Sequence, residues 1–195
     1  MIAASKNAAP CSLNSAALWS TTIVVLWLAT LAVALRFLRE PGRDRAATTG
    51  IRLGLVVALI GLAEGFLMAT AGAHAVGVPD GGPGLPLVGW STTGGDLRIA
   101  HFVGMHALQG LPLLAATLVA TRRFADSTRV RLVRIAAAAW AGLVVLLTWQ
   151  ALRAQPLLAP DGTTLTALAL LVAATGAAVT AALAADRRAA VPVHA

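Results

Sequence analysis

Charge is the scarcest commodity in this sequence. Asp, Glu, Lys and Arg make up only 12% of its 195 residues, against about a quarter in an ordinary water-soluble domain, which leaves too little polar surface to coat a globule in water. Aromatic residues are sparse at 5%, with no tyrosine, and there is a single cysteine, Cys11. One cysteine excludes a disulfide framework and a cysteine-built zinc cluster. Acids are rarer than bases, 8 against 15, giving a net charge of +7, and no nucleic-acid partner is expected. What abounds is apolar: 58% of the chain, with a mean hydropathy of +0.79. The composition is that of a membrane protein, with the lipid bilayer as its first partner.

Crossing a hydrocarbon core of about 30 Å at 1.5 Å per residue takes roughly 20 apolar residues. Five stretches qualify: Leu18 to Leu38, Leu53 to Ala73, Ile99 to Ala120, Leu132 to Leu152 and Leu165 to Ala185. Lipid offers no hydrogen bond to a peptide group, so each stretch is expected to be helical. The expected fold is an all-α polytopic bundle of five transmembrane helices forming one domain over residues 1–195, with a loop at 74–98. None of the stretches shows the alternation of a membrane β-strand.

Arginine placement orients the bundle, because basic residues in short loops resist translocation. Arg36, Arg39, Arg43, Arg45 and Arg52 flank the first connection, Arg122, Arg123, Arg129, Arg131 and Arg134 the third, and Arg187 and Arg188 follow the last stretch. The other side holds Lys6, Arg98 and Arg153. This alternation predicts an N-terminus outside, a C-terminus in the cytoplasm and a multi-pass protein of the bacterial plasma membrane. The first stretch reads as a retained helix rather than a cleaved signal, since its positive charge follows the apolar run. Trp19, Trp90 and Trp149 fall near the expected outer boundary, where indoles are favoured, while Trp27 and Trp140 lie deeper as packing residues.

Small residues recur along the second stretch at Gly50, Gly54, Ala58, Gly61 and Gly65, and along the fifth at Ala169, Ala173, Ala177 and Ala181. Such stripes let helix backbones approach closely in lipid. Between the second and third stretches the chain is dense in glycine and proline but carries Leu85, Leu87, Val88 and Trp90. A loop this long with an apolar insert is expected to fold back over the membrane surface as a lid, or else to act as a linker. Asp80 among glycines lacks the spacing of a calcium loop.

Polar side chains inside a span are costly and call for a reason. Glu64 is the acid that qualifies, expected about 15 Å deep when counted from His74 and level with Gln109. On the third helix, at about 100° per residue, His101, Gln109 and His106 share one broad face, which is expected to look into the bundle. Pro112 is expected to kink the helix one turn further on. The candidate cofactor-binding set is therefore His74, His101, His106, Glu64 and Gln109, with Asp96, Arg98 and Gln150 near its rim. Imidazoles are common ligands of haem iron and transition metals. His74 and His101 at matched depth suit one b-type haem, and a quinone or other redox ligand suits the same pocket. His101 and His106, five apart, are poorly placed for a single metal ion. Three further readings stay open: mutual hydrogen bonding of the cluster without a ligand, a proton-coupled carrier or channel using Glu64, and an accessory subunit serving a membrane partner without a site of its own. His194 is expected to be exposed.

Gly89-Trp90-Ser91, Gly95-Asp96-Leu97-Arg98, Ala100-His101-Phe102, Gly104-Met105-His106-Ala107-Leu108-Gln109 and Leu111-Pro112 together resemble a block shared by a family of small uncharacterised bacterial integral membrane proteins. The resemblance covers roughly 24 residues and carries no reaction. It implies that the loop end and the third helix form one unit, with Asp96 and Arg98 capping the helix start, where the helix dipole favours an acid.

Overall fold

A computed structural model describes residues 10–190. It contains five long helices: α1 (Pro10–Arg39), α2 (Arg45–Ala71), α3 (Leu97–Thr121), α4 (Asp126–Leu152) and α5 (Gly162–Ala190). Each of the five is long and apolar enough to cross a membrane. Lys6 and His194 lie outside the described residues, as do the side chains of Cys11 and Trp19.

Helix ends fall where local chemistry puts them, most of them beyond the apolar stretches, though α2 stops two residues short of Ala73. α2 begins eight residues before Leu53 because the Asp44 side chain caps it, accepting from the Ala47 N–H at 2.8 Å. An N-cap acid satisfies one of the first orphan N–H groups. The same helix stops at Ala71 on Gly72, whose φ of 64° is the left-handed C-cap conformation that glycine adopts without strain. The opposite end of the molecule carries the arginines. There Arg52 reaches back to the carbonyls of Phe37 and Glu40, at 3.0 and 2.6 Å, and ties the α1–α2 turn.

Antiparallel α2 and α3 form the centre of the bundle. Their contact is nearly backbone on backbone: a Cβ placed on Gly61 would stand 2.6 Å from the Gly104 carbonyl carbon, and one on Gly50 would stand 2.9 Å from the Leu111 carbonyl oxygen. The Gly61–Gly65 pair therefore packs within one chain. α4 completes the core, with Val57, Ala107, Leu111, Ala137 and Val144 forming one buried cluster. Two indoles stitch neighbouring helices, Trp140 Nε1 donating to the Val103 carbonyl at 2.9 Å and Trp27 Nε1 to the Leu59 carbonyl at 3.2 Å. α3 runs unbroken through Pro112, whose ring lies against Gly54 rather than beside a cavity.

The alanine stripe expected to pack α5 does not. Ala169, Ala173, Ala177 and Ala181 are all exposed, and Leu171, Thr175, Ala178 and Ala182 face inward instead. Alanines recur on every side of α5, so periodicity alone could not select its packing face.

The α2–α3 connection carries backbone pairing of its own. A two-residue antiparallel pairing joins β1 (Ala75–Val76) to β2 (Gly95–Asp96). A second hairpin within it is closed by the Gly84–Ser91 bridge and by the Leu85 N–H donating to the Trp90 carbonyl at 2.8 Å. Gly95 lies so close to the Ala151 carbonyl of α4 that any side chain there would collide.

Candidate functional site

Asp96 organises the loop end. Fully buried, it caps α3 by accepting from the Arg98 N–H at 3.1 Å and holds the loop through the Ser91 N–H at 2.9 Å. It also forms a two-pronged ion pair with Arg98, at 2.9 Å to Nε and 2.6 Å to Nη2. Burial pushes the carboxyl up, but the Arg98 guanidinium and the two backbone N–H groups outweigh it and hold the carboxyl below its ordinary value. Arg98 in turn donates to the Gly89 carbonyl at 2.6 Å. Asp80 also holds the loop, accepting from the backbone N–H groups of His74 and Ala75.

These contacts build one wall of a cleft of about 870 Å³ between α1, α2 and the start of α3, within the range of small-molecule sites. Ile23, Met68 and Ala69 give it an apolar side, while His74, Asp80, Arg98 and His101 give it a polar one. Gly65 keeps its floor open, since even a Cβ there would press on Ile23 at 3.3 Å.

The two imidazoles of the cleft differ: His101 is hydrogen-bonded through Nδ1, whereas the buried His74 Nδ1 makes no hydrogen bond among the described residues. His101 Nδ1 lies 2.8 Å from the Gly61 carbonyl; a carbonyl can only accept, so Nδ1 carries the proton and Nε2 is left as an acceptor. His74 Nδ1 is buried, 3.4 Å from an Asp80 oxygen and 3.7 Å from an Asp96 oxygen. Neither Nε2 has a hydrogen-bond partner among the described residues.

His106 and Gln109 are not brought to this cleft. Both are exposed on the outer surface of α3, where His106 donates from Nδ1 to its own helix at the Phe102 carbonyl, 2.7 Å away, and stacks on the Phe102 ring at 4.2 Å. Of the face expected to look inward, His101 does so but His106 and Gln109 do not, because the buried positions further along the helix are Gly104, Ala107, Leu111 and Ala115. Close approach to the glycines of α2 requires small residues on the facing helix, and that requirement outweighs the pull of the polar groups.

Glu64 is buried but level with His101 rather than Gln109, since Gly61 packs on Gly104 and α2 ends before His74. Its Oε1 accepts from Thr148 of α4 at 2.7 Å, and its Oε2 is buried with no partner among the described residues. His74 sits in the loop rather than at a helix end. Gln150 is buried away from the cleft and donates to the Pro156 carbonyl at 2.8 Å, bracing the α4–α5 turn. The contributions of α1 and of Asp80 to the cleft had no signal in the sequence pattern. Thr148 did have one, as a hydroxyl inside an otherwise apolar span.

No family model matches the chain, and no curated protein or solved structure does either.

Proposed function

We propose that the chain is a five-span integral protein of the bacterial plasma membrane, N-terminus outside and C-terminus in the cytoplasm, whose outward-facing cleft binds the headgroup of a lipid-borne quinone. The observation that carries this reading is the pairing of an apolar wall with two imidazoles, one of them, His101, already oriented by its Nδ1 bond to the Gly61 carbonyl. A quinol hydroxyl donates to the free Nε2 of His101, and a head oxygen accepts from Arg98. An apolar tail follows the Ile23–Met68 side toward lipid. The arginine asymmetry supports the orientation, and the Gly89 to Pro112 block, with its likeness to small bacterial membrane proteins, supports the compartment.

Titration of the reconstituted protein with a short-chain ubiquinone analogue, read by tryptophan quenching, tests this. Saturable binding that weakens at least several-fold in His101→Ala and in Arg98→Ala is the expected result. Binding that ignores both substitutions sinks the proposal. A Soret band in the purified protein, lost in His74→Ala and His101→Ala, would replace the quinone with haem b.

A second reading, a proton-coupled carrier, is favoured by the unpartnered Oε2 of Glu64, since an intramembrane carboxyl is a default proton-handling candidate. Proton flux in liposomes that persists in Glu64→Gln removes it.

A further inference from the structure

Residues 83–92 form a short hairpin that carries no charge and turns its most apolar side chains outward. Leu87 at its tip is fully exposed, at 108% of its reference area, and stands at φ 70°; Val88 beside it is 44% exposed. A leucine held in the left-handed region and presented whole to water gains nothing from either, so the tip has no rationale in an aqueous loop. Nor is it loose. Arg98 grips the Gly89 carbonyl at 2.6 Å, Asp96 grips the Ser91 N–H at 2.9 Å, and the Leu85 to Trp90 backbone bond closes the hairpin.

The direction in which it leans identifies what covers it. Trp90 packs edge-on against Phe102 at 5.8 Å, and Phe102 stacks on His106 at 4.2 Å. Phe102 is on the second turn of α3, 46% exposed, on the surface turned away from the bundle. The hairpin therefore continues the lipid-facing side of α3 just below the helix start. Trp90 is an indole at the level where indoles anchor. Across the molecule, Trp149 occupies the corresponding end of α4, with the Arg153 guanidinium 4.6 Å from its ring.

We infer that the 83–92 hairpin is seated in the bilayer, its Leu87–Val88 tip entering the leaflet on the side of the α2–α3 loop, with Trp90 and Phe102 as the hinge between hairpin and span. The inference is independent of what the cleft binds and rests only on the five helices spanning the membrane. It also makes the leaflet a structural neighbour of the cleft, because Arg98 belongs to both.

The test uses the full chain in a Cys11→Ser background. Single cysteines Leu87→Cys, Gly82→Cys and Leu113→Cys are each labelled with a bimane and reconstituted into phosphatidylcholine–phosphatidylglycerol vesicles, with and without phospholipid bearing a nitroxide at the top of its acyl chain. Leu87 is exposed and Gly82 has room for a Cβ, so neither substitution strains the fold. The expected result is that the Leu87 label is blue-shifted and quenched several-fold more than the Gly82 label, with Val88→Cys behaving like Leu87→Cys. Leu113, 69% exposed in mid-helix, reports on the spans themselves. Quenching at Leu113 with none at Leu87 overturns the hairpin alone; no quenching at either overturns the membrane-spanning reading and the hairpin with it. A Leu87 signal that ignores the nitroxide lipid but depends on protein density assigns the tip to a second copy and overturns the lipid seat.

Discussion

Helices α2 and α5 carry the same kind of small-residue repeat and meet opposite fates. In α2, Gly50, Gly54, Ala58, Gly61 and Gly65 are all buried, and 44% of its apolar window is enclosed; in α5 the corresponding figure is 6%, and the alanine stripe faces outward. The difference lies in the partner. α3 answers α2 with Gly104, Ala107 and Ala115 at matching levels, so two backbones close on each other. Between α4 and α5 the closest glycine contact is filled by a side chain instead, Leu171 lying 2.8 Å from where a Cβ on Gly142 would stand. A small-residue stripe becomes a seam only where the facing helix is small at the same height.

The sharpest way to break this comparison is Gly61→Leu. Its side chain meets the backbone of Gly104, which cannot swing aside, and a loss of about 3 kcal/mol or more is expected from overpacking. Unfolding in mixed micelles by titrated dodecyl sulfate measures it, and retained stability would mean that the two helices do not touch there.

Next comes Asp96→Asn, at about 2 kcal/mol, because it leaves the Arg98 guanidinium without its counter-charge and weakens the α3 cap. The folded carboxyl lies below its unfolded value of about 3.9, so its contribution is complete above that pH and drains away as pH falls through the folded value. Wild-type protein should therefore lose stability on acidification below about pH 4 with a steeper slope than the variant. Parallel slopes would show that Asp96 does not titrate differently in the folded state.

Thr148→Val is a smaller perturbation. It removes the one hydrogen bond that the Glu64 side chain accepts among the described residues, and interhelical bonds of this kind contribute about 1 kcal/mol or less. The same micelle titration resolves it, and no change would indicate that water already serves Glu64.

Smallest of all is Gly176→Ala in α5, where nothing lies within 4 Å of an added Cβ. Stability should stay within about 0.5 kcal/mol of wild type. A loss rivalling that of Gly61→Leu would place another chain against α5.

The loop end and the arginine end differ in a second way. On the loop end, both Arg98 and Arg153 are paired with an acid, Asp96 and Asp161, each at 2.6 Å. Arg153, with the Thr164 N–H, holds the exposed Asp161 carboxyl below its ordinary value. On the opposite end Arg39, Arg43, Arg122, Arg123 and Arg131 have no acidic partner among the described residues. The asymmetry first visible as a count of arginines is thus also one of compensation.

Much of the geometry of the candidate site is illegible in the sequence for a single reason. An angular wheel orders side chains around a helix but does not say which arc faces a neighbour, so it groups His106 and Gln109 with His101 although the structure exposes them. Depth counted along the chain from His74 overshoots, because His74 lies beyond the Gly72 cap that ends α2. The Asp96 cap was legible because it depends on residues adjacent in the chain.

By itself the sequence determined five helices, their approximate limits and the segregation of arginine, all of which follow from local composition and from the cost of an unpaired peptide group in lipid. The tertiary structure alone decided that Gly61 meets Gly104, that Glu64 turns to Thr148, and that His74, Arg98 and His101 share a cleft with α1. In a chain so rich in alanine, leucine and glycine, hydrophobicity is nearly uniform around each helix. Steric fit between backbones is then what chooses the faces, and fit is a property of pairs of helices that no single stretch of sequence contains.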